Sequence, residues 1–118
     1  MSTINVQSIT NGTDSISVED SIKSTAKAWI NFDGNSMTER DKFNVSSITD
    51  TGTGQYTVFF TTPMPNTNYA FFLSRNRNSN DAAIVSSAKA TGSISVRTVS
   101  ETFQGLDVTE VNVLVYSL

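Results

Sequence analysis

The chain has 118 residues, a net charge of −3 and neither histidine nor cysteine. That length holds a single hydrophobic core, and an acidic balance without clustered Lys and Arg argues against nucleic acid as a partner. Ser-His-Asp triads, thiol nucleophiles, disulfides and His- or Cys-based zinc sites are excluded outright.

Met1-Ser2-Thr3-Ile4-Asn5-Val6 has neither the basic start nor the apolar core of a signal peptide. No apolar run approaches the ~20 residues that cross a bilayer, so membrane insertion is not expected. Ser, Thr and Asn dominate the polar positions, interleaved with Val, Ile and aromatics, which suits half-buried pleated surfaces and turns.

In chain order, Ile4 to Ile9 alternates as a strand, and Asn11-Gly12 supplies a turn with access to positive φ. Ser15 to Val18 alternates again. Ser17 and Asp20 have capping-box-like spacing, but the Ser/Thr-rich segment Glu19 to Thr25 reads as extended or irregular. Ala26 to Phe32 is a strand with Ala28, Ile30 and Phe32 on one face and the only Trp, Trp29, on the other; Asp33-Gly34 closes it. The run beginning Phe43-Asn44-Val45-Ser46-Ser47-Ile48 continues through the turn Thr51-Gly52-Thr53-Gly54 into Gln55 to Thr62, which directs Tyr56, Val58 and Phe60 inward and Phe59 outward. Pro63-Met64-Pro65 ends that strand. Asn68 to Ser74, with Tyr69, Phe71 and Leu73 opposite Phe72, is expected to pair with it as an antiparallel hairpin. Arg75 to Asp81 is wholly polar and reads as a loop. Ala82 to Ala88 and Gly92 to Val99 follow. Asp107 to Ser117 sets Val111, Val113 and Val115 against Leu114 and Tyr116. Seven to nine short strands of this kind predict an all-β fold, an antiparallel β-sandwich or jelly roll with less than about a tenth of its residues helical. Residues 1–25 form a lead-in or attachment segment and 26–118 the β domain.

Trp29, Phe59, Phe72, Leu114 and Tyr116 all lie on strand faces opposite the core. Either loops cover them, or they form a subunit interface between copies of the chain. The loop Arg75, Asn76, Arg77, Asn78, Asn80 and Asp81 is either a solvated connector or a receptor-contact surface, since Arg and Asn suit sugar hydroxyls and acidic glycans. Carboxylate pairs occur at Glu19/Asp20 and Glu39/Asp41, but nothing marks them as a glycosidase pair. Asp33-Gly34-Asn35 resembles a piece of a calcium loop without the remaining ligands, and reads as a turn. Asn11-Gly12-Thr13 and Asn44-Val45-Ser46 fit the glycosylation pattern by chance composition. No cofactor and no catalytic residue is expected.

One long ordered pattern carries a resemblance. It consists of Lys27-Ala28-Trp29-Ile30-Asn31-Phe32-Asp33-Gly34, Arg40-Asp41 before Phe43 to Ile48, Gly52-Thr53-Gly54-Gln55-Tyr56-Thr57-Val58, then Phe60-Thr61-Thr62, Met64-Pro65 and Asn68-Tyr69-Ala70. Over about residues 26–73 this resembles a recurrent module of tail-fibre and related virion proteins of tailed phages, many infecting marine or cyanobacterial hosts. The resemblance implies a non-enzymatic structural protein of the virion, a homotrimer, most naturally a receptor-binding tail-fibre component. A capsid decoration or head-fibre protein is the alternative, and a glycan-cleaving tailspike ranks last. It implies attachment to other virion proteins through the N-terminal segment and contact with a host glycan or outer-membrane receptor. Asn35 to Glu39 and everything after Arg75 depart from the module.

Overall fold

Alternating apolar and polar side chains become strands almost wherever the chain carries them, and two such sets of strands enclose one core. The computed structural model describes residues 3–76 and 84–118. The first sheet contains β3 (Ala26–Phe32), β4 (Glu39–Phe43), β7 (Ala70–Arg75) and β10 (Val111–Tyr116), in the order β4-β3-β10-β7. The second contains β5 (Val45–Gly52), β6 (Gln55–Phe60), β8 (Ile84–Lys89) and β9 (Ser93–Thr98), in the order β5-β6-β9-β8. Every pairing is antiparallel. With β1 (Ser8–Thr10) and β2 (Ser15–Ser17) forming a separate hairpin, ten strands lie among the described residues, more than the seven to nine expected.

The inner positions match the alternation. Ala28, Ile30 and Phe32, Val111, Val113 and Val115, Tyr56, Val58 and Phe60, and Ile94 and Val96 are buried together in one cluster drawn from both sheets. Phe32 of the first sheet meets Tyr56 of the second edge-on, ring centroids 5.3 Å apart, a favoured quadrupole geometry.

Three expectations fail. Of the strand expected over Ile4 to Ile9, only Ser8 and Ile9 lie in a strand, β1, and Ile4 to Gln7 pair with no neighbouring strand. The strands β6 and β7 are not hairpin partners: β6 pairs with β5 and β9, whereas β7 pairs with β10 in the other sheet. Pro63 and Pro65 cannot donate to a ladder, and between them Met64 drops into the core, as does Tyr69, whose ring meets Phe60 at 6.0 Å. The connection therefore crosses from one sheet to the other instead of turning back. The segment Glu19 to Thr25 is also not extended or irregular as expected, save for Thr25 itself; Val18–Ser24 is a helix, α1, with Thr25 its extended C-cap. Ser17 Oγ accepts from the Asp20 N–H at 3.0 Å, Glu19 and Asp20 occupy the positive first turn, and Lys23 pairs with Glu19 at 2.7 Å. The hydroxyls of Ser24 and Thr25 fold back onto the Ser21 carbonyl, so Ser/Thr content did not prevent a helix. Seven residues still fall within the expected helical fraction.

An earlier step between the sheets, from β4 to β5, occurs at Asn44. It sits at φ 53° between β4 and β5, the left-handed region that Asn tolerates better than most residues. Its Nδ2 donates to the Lys27 and Thr62 carbonyls at 2.9 and 3.1 Å, and its Oδ1 accepts from Thr62 N–H at 2.7 Å. One side chain thus fastens β3, the β4–β5 corner and the end of β6.

At the opposite end, Tyr56 reaches between sheets. Its hydroxyl lies 3.0 Å from both the Gly34 carbonyl and Asp107 Oδ1, and Asp107 Oδ1 also accepts from Gly54 N–H at 2.7 Å. Burial pushes the phenol up to about 12. No side chain fits in this cluster: a Cβ on Gly34 would lie 2.6 Å from the Val108 carbonyl, and one on Gly54, at φ +66°, 2.5 Å from Leu106 N. These contacts tie the chain just beyond β3, the start of β6 and the lead-in to β10 together at this end of the two sheets.

Candidate functional site

Register decides which outward side chains are neighbours. In the first sheet Trp29 lies opposite both Phe43 on β4 and Leu114 on β10, and Leu114 lies opposite Phe72 on β7. Phe43, Trp29, Leu114 and Phe72 therefore form one apolar row across all four strands, about 14 Å from first strand to last at the usual spacing. Phe43 and Phe72 are 53% and 69% exposed, while Trp29 and Leu114 are half-buried between them. On one side of the row Tyr116 stands opposite Ala26 and Ala70. At the β7 end lies a depression of about 370 Å³ against Phe72, Leu114 and Tyr116. Beyond Phe43 is a larger one, about 550 Å³, between Lys27, Phe43, Pro63, Met64 and Leu118.

The other side of the row is polar. Asp41, Asn31, Asn112 and Ser74 are cross-strand neighbours, and their amides form a ladder. Arg40 Nη1 donates to Asn31 Oδ1 at 3.2 Å, Asn31 Nδ2 donates to Asn112 and to Glu110 Oε1, and Asn112 Nδ2 donates to Ser74 Oγ at 3.1 Å. Arg40 also bonds the Thr109 carbonyl and lies 3.6 Å from Asp33 Oδ2. An apolar strip beside a hydrogen-bonded polar margin is the anatomy of a recognition surface. The second sheet contrasts with it. Its outward pairs include Thr49 and Thr57, Thr57 and Ser95, and Ser93 and Phe59.

Four of the five expected interface residues, Trp29, Phe72, Leu114 and Tyr116, thus come together on one face. Phe59 does not join them. It lies on the other sheet, 39% exposed, with Ser47 and Ser93 opposite it. Phe43 was missed, because Phe43 to Ile48 reads as one continuous run; only the asparagine at position 44 hints at the left-handed corner that turns Phe43 onto the row. The polar ladder was missed as well, although asparagine at outward positions of two strands was its visible signal.

Of the expected receptor loop, Arg77, Asn78, Asn80 and Asp81 lie outside the described residues. Arg75 is the last residue of β7 and half-buried, on the side shared by Phe71 and Leu73. Asn76 is a fastener: its Nδ2 donates to Thr109 Oγ1 at 2.6 Å and its Oδ1 accepts from Glu110 N–H at 3.0 Å. Among the carboxylates, Glu39 pairs with Lys42 at 2.6 Å. Asp33 closes an Asx turn, accepting from Asn35 and Ser36 N–H groups that, with Arg40, hold its carboxyl below the ordinary range. Among the described residues no three His, Cys, Asp or Glu side chains converge as a metal site, and no helix is long and apolar enough to cross a membrane.

No protein-family model, no curated protein and no solved structure matches the chain.

Proposed function

We propose that this chain is a non-enzymatic structural subunit of a phage virion, a tail-fibre component serving receptor binding, in which the two sheets form a β-sandwich and three copies assemble through the outer face of the first sheet. The observation that carries the reading is the row Phe43, Trp29, Leu114 and Phe72, an apolar strip crossing all four strands of one sheet. A sheet with one face in the core ordinarily turns polar residues outward; the second sheet exposes only the scattered Phe59 and Val85 among its outward Ser and Thr residues, and a continuous apolar row in water is stabilised by being covered. The resemblance of residues 26–73 to fibre modules supports the same reading, since it contains Trp29 and Phe43. In such an assembly the stretch from Arg75 to Asp81 is repeated around one axis, so weak contacts to a host glycan or outer-membrane receptor gain avidity.

The test is location and mass together. Light scattering at micromolar concentration is expected to give a trimer, and gold-labelled antibody on intact virions is expected to mark the tail. Purified protein should also compete with virions for host adsorption. A monomer, or virions without label, overturns the reading; label on the head moves the protein to capsid decoration.

A further inference from the structure

The segment preceding the first sheet makes a second uncovered surface. The hairpin of β1 and β2 has three residues per strand, α1 has seven, and none of the described residues before Thr25 is buried. Isolated hairpins are marginal in water, and helices under ~12–15 residues do not persist alone. Yet this arm displays aliphatic side chains: Ile9 and Ile16 are cross-strand partners, 59% and 42% exposed, and Ile22 on α1 is 47% exposed. The arm meets its own sheet where Lys23 of α1 shares a depression with Ala70 and Tyr116, and the molecule is elongated. The long axis is 52 Å against 30 and 25 Å, and the radius of gyration is 16.9 Å, against about 13.5 Å for a compact chain of this length.

We infer that the arm of one copy, through Ile9, Ile16 and Ile22, lies on the apolar row of a neighbouring copy. The inference rests on the assembly proposed above and names what covers its face. Each chain carries one arm and one row, and in a single copy both remain exposed. A head-to-tail contact of arm on row satisfies both surfaces in every copy when the ring closes. The three isoleucines together with the row leave on the order of 600 Å² of apolar surface in water. At about 60% apolar, an interface built on it covers about 1,000 Å² in total, where specific interfaces begin. Ile4 and Val6, 85% and 51% exposed at the outer end of the arm, stay free for another virion protein.

The chain has no native cysteine, so disulfide mapping is direct. Full-length double variants pairing Ile9→Cys or Ile16→Cys with Asp41→Cys or Ser74→Cys, positions that flank the row and leave its aromatics in place, are oxidised and run without reductant. Covalent dimers and trimers are expected in at least one combination. Disulfides formed only within single chains show the arm folding onto its own sheet and overturn the inference, as does the absence of any disulfide. In parallel, the Ile9→Asp/Ile16→Asp double variant should weaken association by about 100-fold or more and keep the β-sheet circular dichroism of the wild type. If that variant assembles normally, the arm is not the cover, although assembly through the row stands. If the wild type itself is monomeric, both readings fall.

Discussion

Phe72→Asp discriminates between an apolar row that holds copies together and one that is ordinary surface. Phe72 is 69% exposed, on the outward side of β7 with Leu114 opposite it. An aromatic side chain offers about 150–250 Å², so roughly 100–170 Å² of this ring remains in water in the single chain. At about 25 cal/mol per Å², covering it stabilises a contact by about 2.5–4 kcal/mol, or two to three orders of magnitude in association constant. An aspartate there adds the cost of an unpaired charge at the interface. Within one copy the change is small, because the side chain is mostly solvated and exposed substitutions usually cost under about 0.5 kcal/mol. Light scattering across a dilution series should therefore show dissociation at concentrations where the wild type is assembled. The wild-type melting temperature should rise with protein concentration, since assembly is linked to folding, and that of the variant should not. Phe103→Asp is the matched control: equally exposed at 74%, but on a loop away from the row. Phe59→Asp tests the other sheet and should also leave the mass unchanged. An assembled Phe72→Asp protein, or equal dissociation by Phe103→Asp, refutes the reasoning.

Three further outcomes follow from the interior. Gly54→Ala forces a Cβ into the Thr98 and Leu106 backbone at φ +66°, whereas Gly92 has open space around it; calorimetry should show a loss of about 3 kcal/mol or more for Gly54→Ala and less than about 1 kcal/mol for Gly92→Ala. Asn44→Ala should cost about 2–4 kcal/mol in denaturant unfolding, from three hydrogen bonds and a left-handed backbone, and Asn44→Gly, which relieves only the backbone, should recover about 1 kcal/mol of it. In alkaline titration, Tyr56 holds its proton to about 12 in the folded chain, and burial raises Tyr69 in the same direction. The unfolded chain loses these protons first, near pH 10, so their contribution is complete below pH 10 and is lost as pH rises towards 12. Tyr56→Phe should flatten that fall, at a cost of about 1–2 kcal/mol at neutral pH from the lost hydroxyl contacts; an unchanged slope would show that Tyr56 does not carry it.

The sequence by itself determined which side of each long strand is apolar. Period-2 alternation in Ala26–Phe32, Gln55–Phe60 and Val111–Tyr116 states the inner face directly, because a strand's side chains must alternate. The turn at Asn11-Gly12 was legible for the same local reason, a backbone conformation few other residues reach, and Gly12 does sit at φ 104°. The capping of α1 by Ser17 was visible as spacing, but weaker propensities outvoted it. What only the tertiary structure decided was adjacency. Nothing in the residues of β6 and β7 states that the chain crosses sheets between them; Met64 and Tyr69 are held there by hydrogen bonds to the backbone of Ala90, Thr91 and Ser93, residues remote in sequence. The strand β4, Glu39–Phe43, has no alternation of its own and exists because β3 offers an edge. The candidate site depends on the same thing. Trp29, Leu114 and Phe72 could each be assigned an outward face from neighbours in the chain, but their union with Phe43 into one row is a property of register, and register is fixed by contacts between residues far apart in sequence.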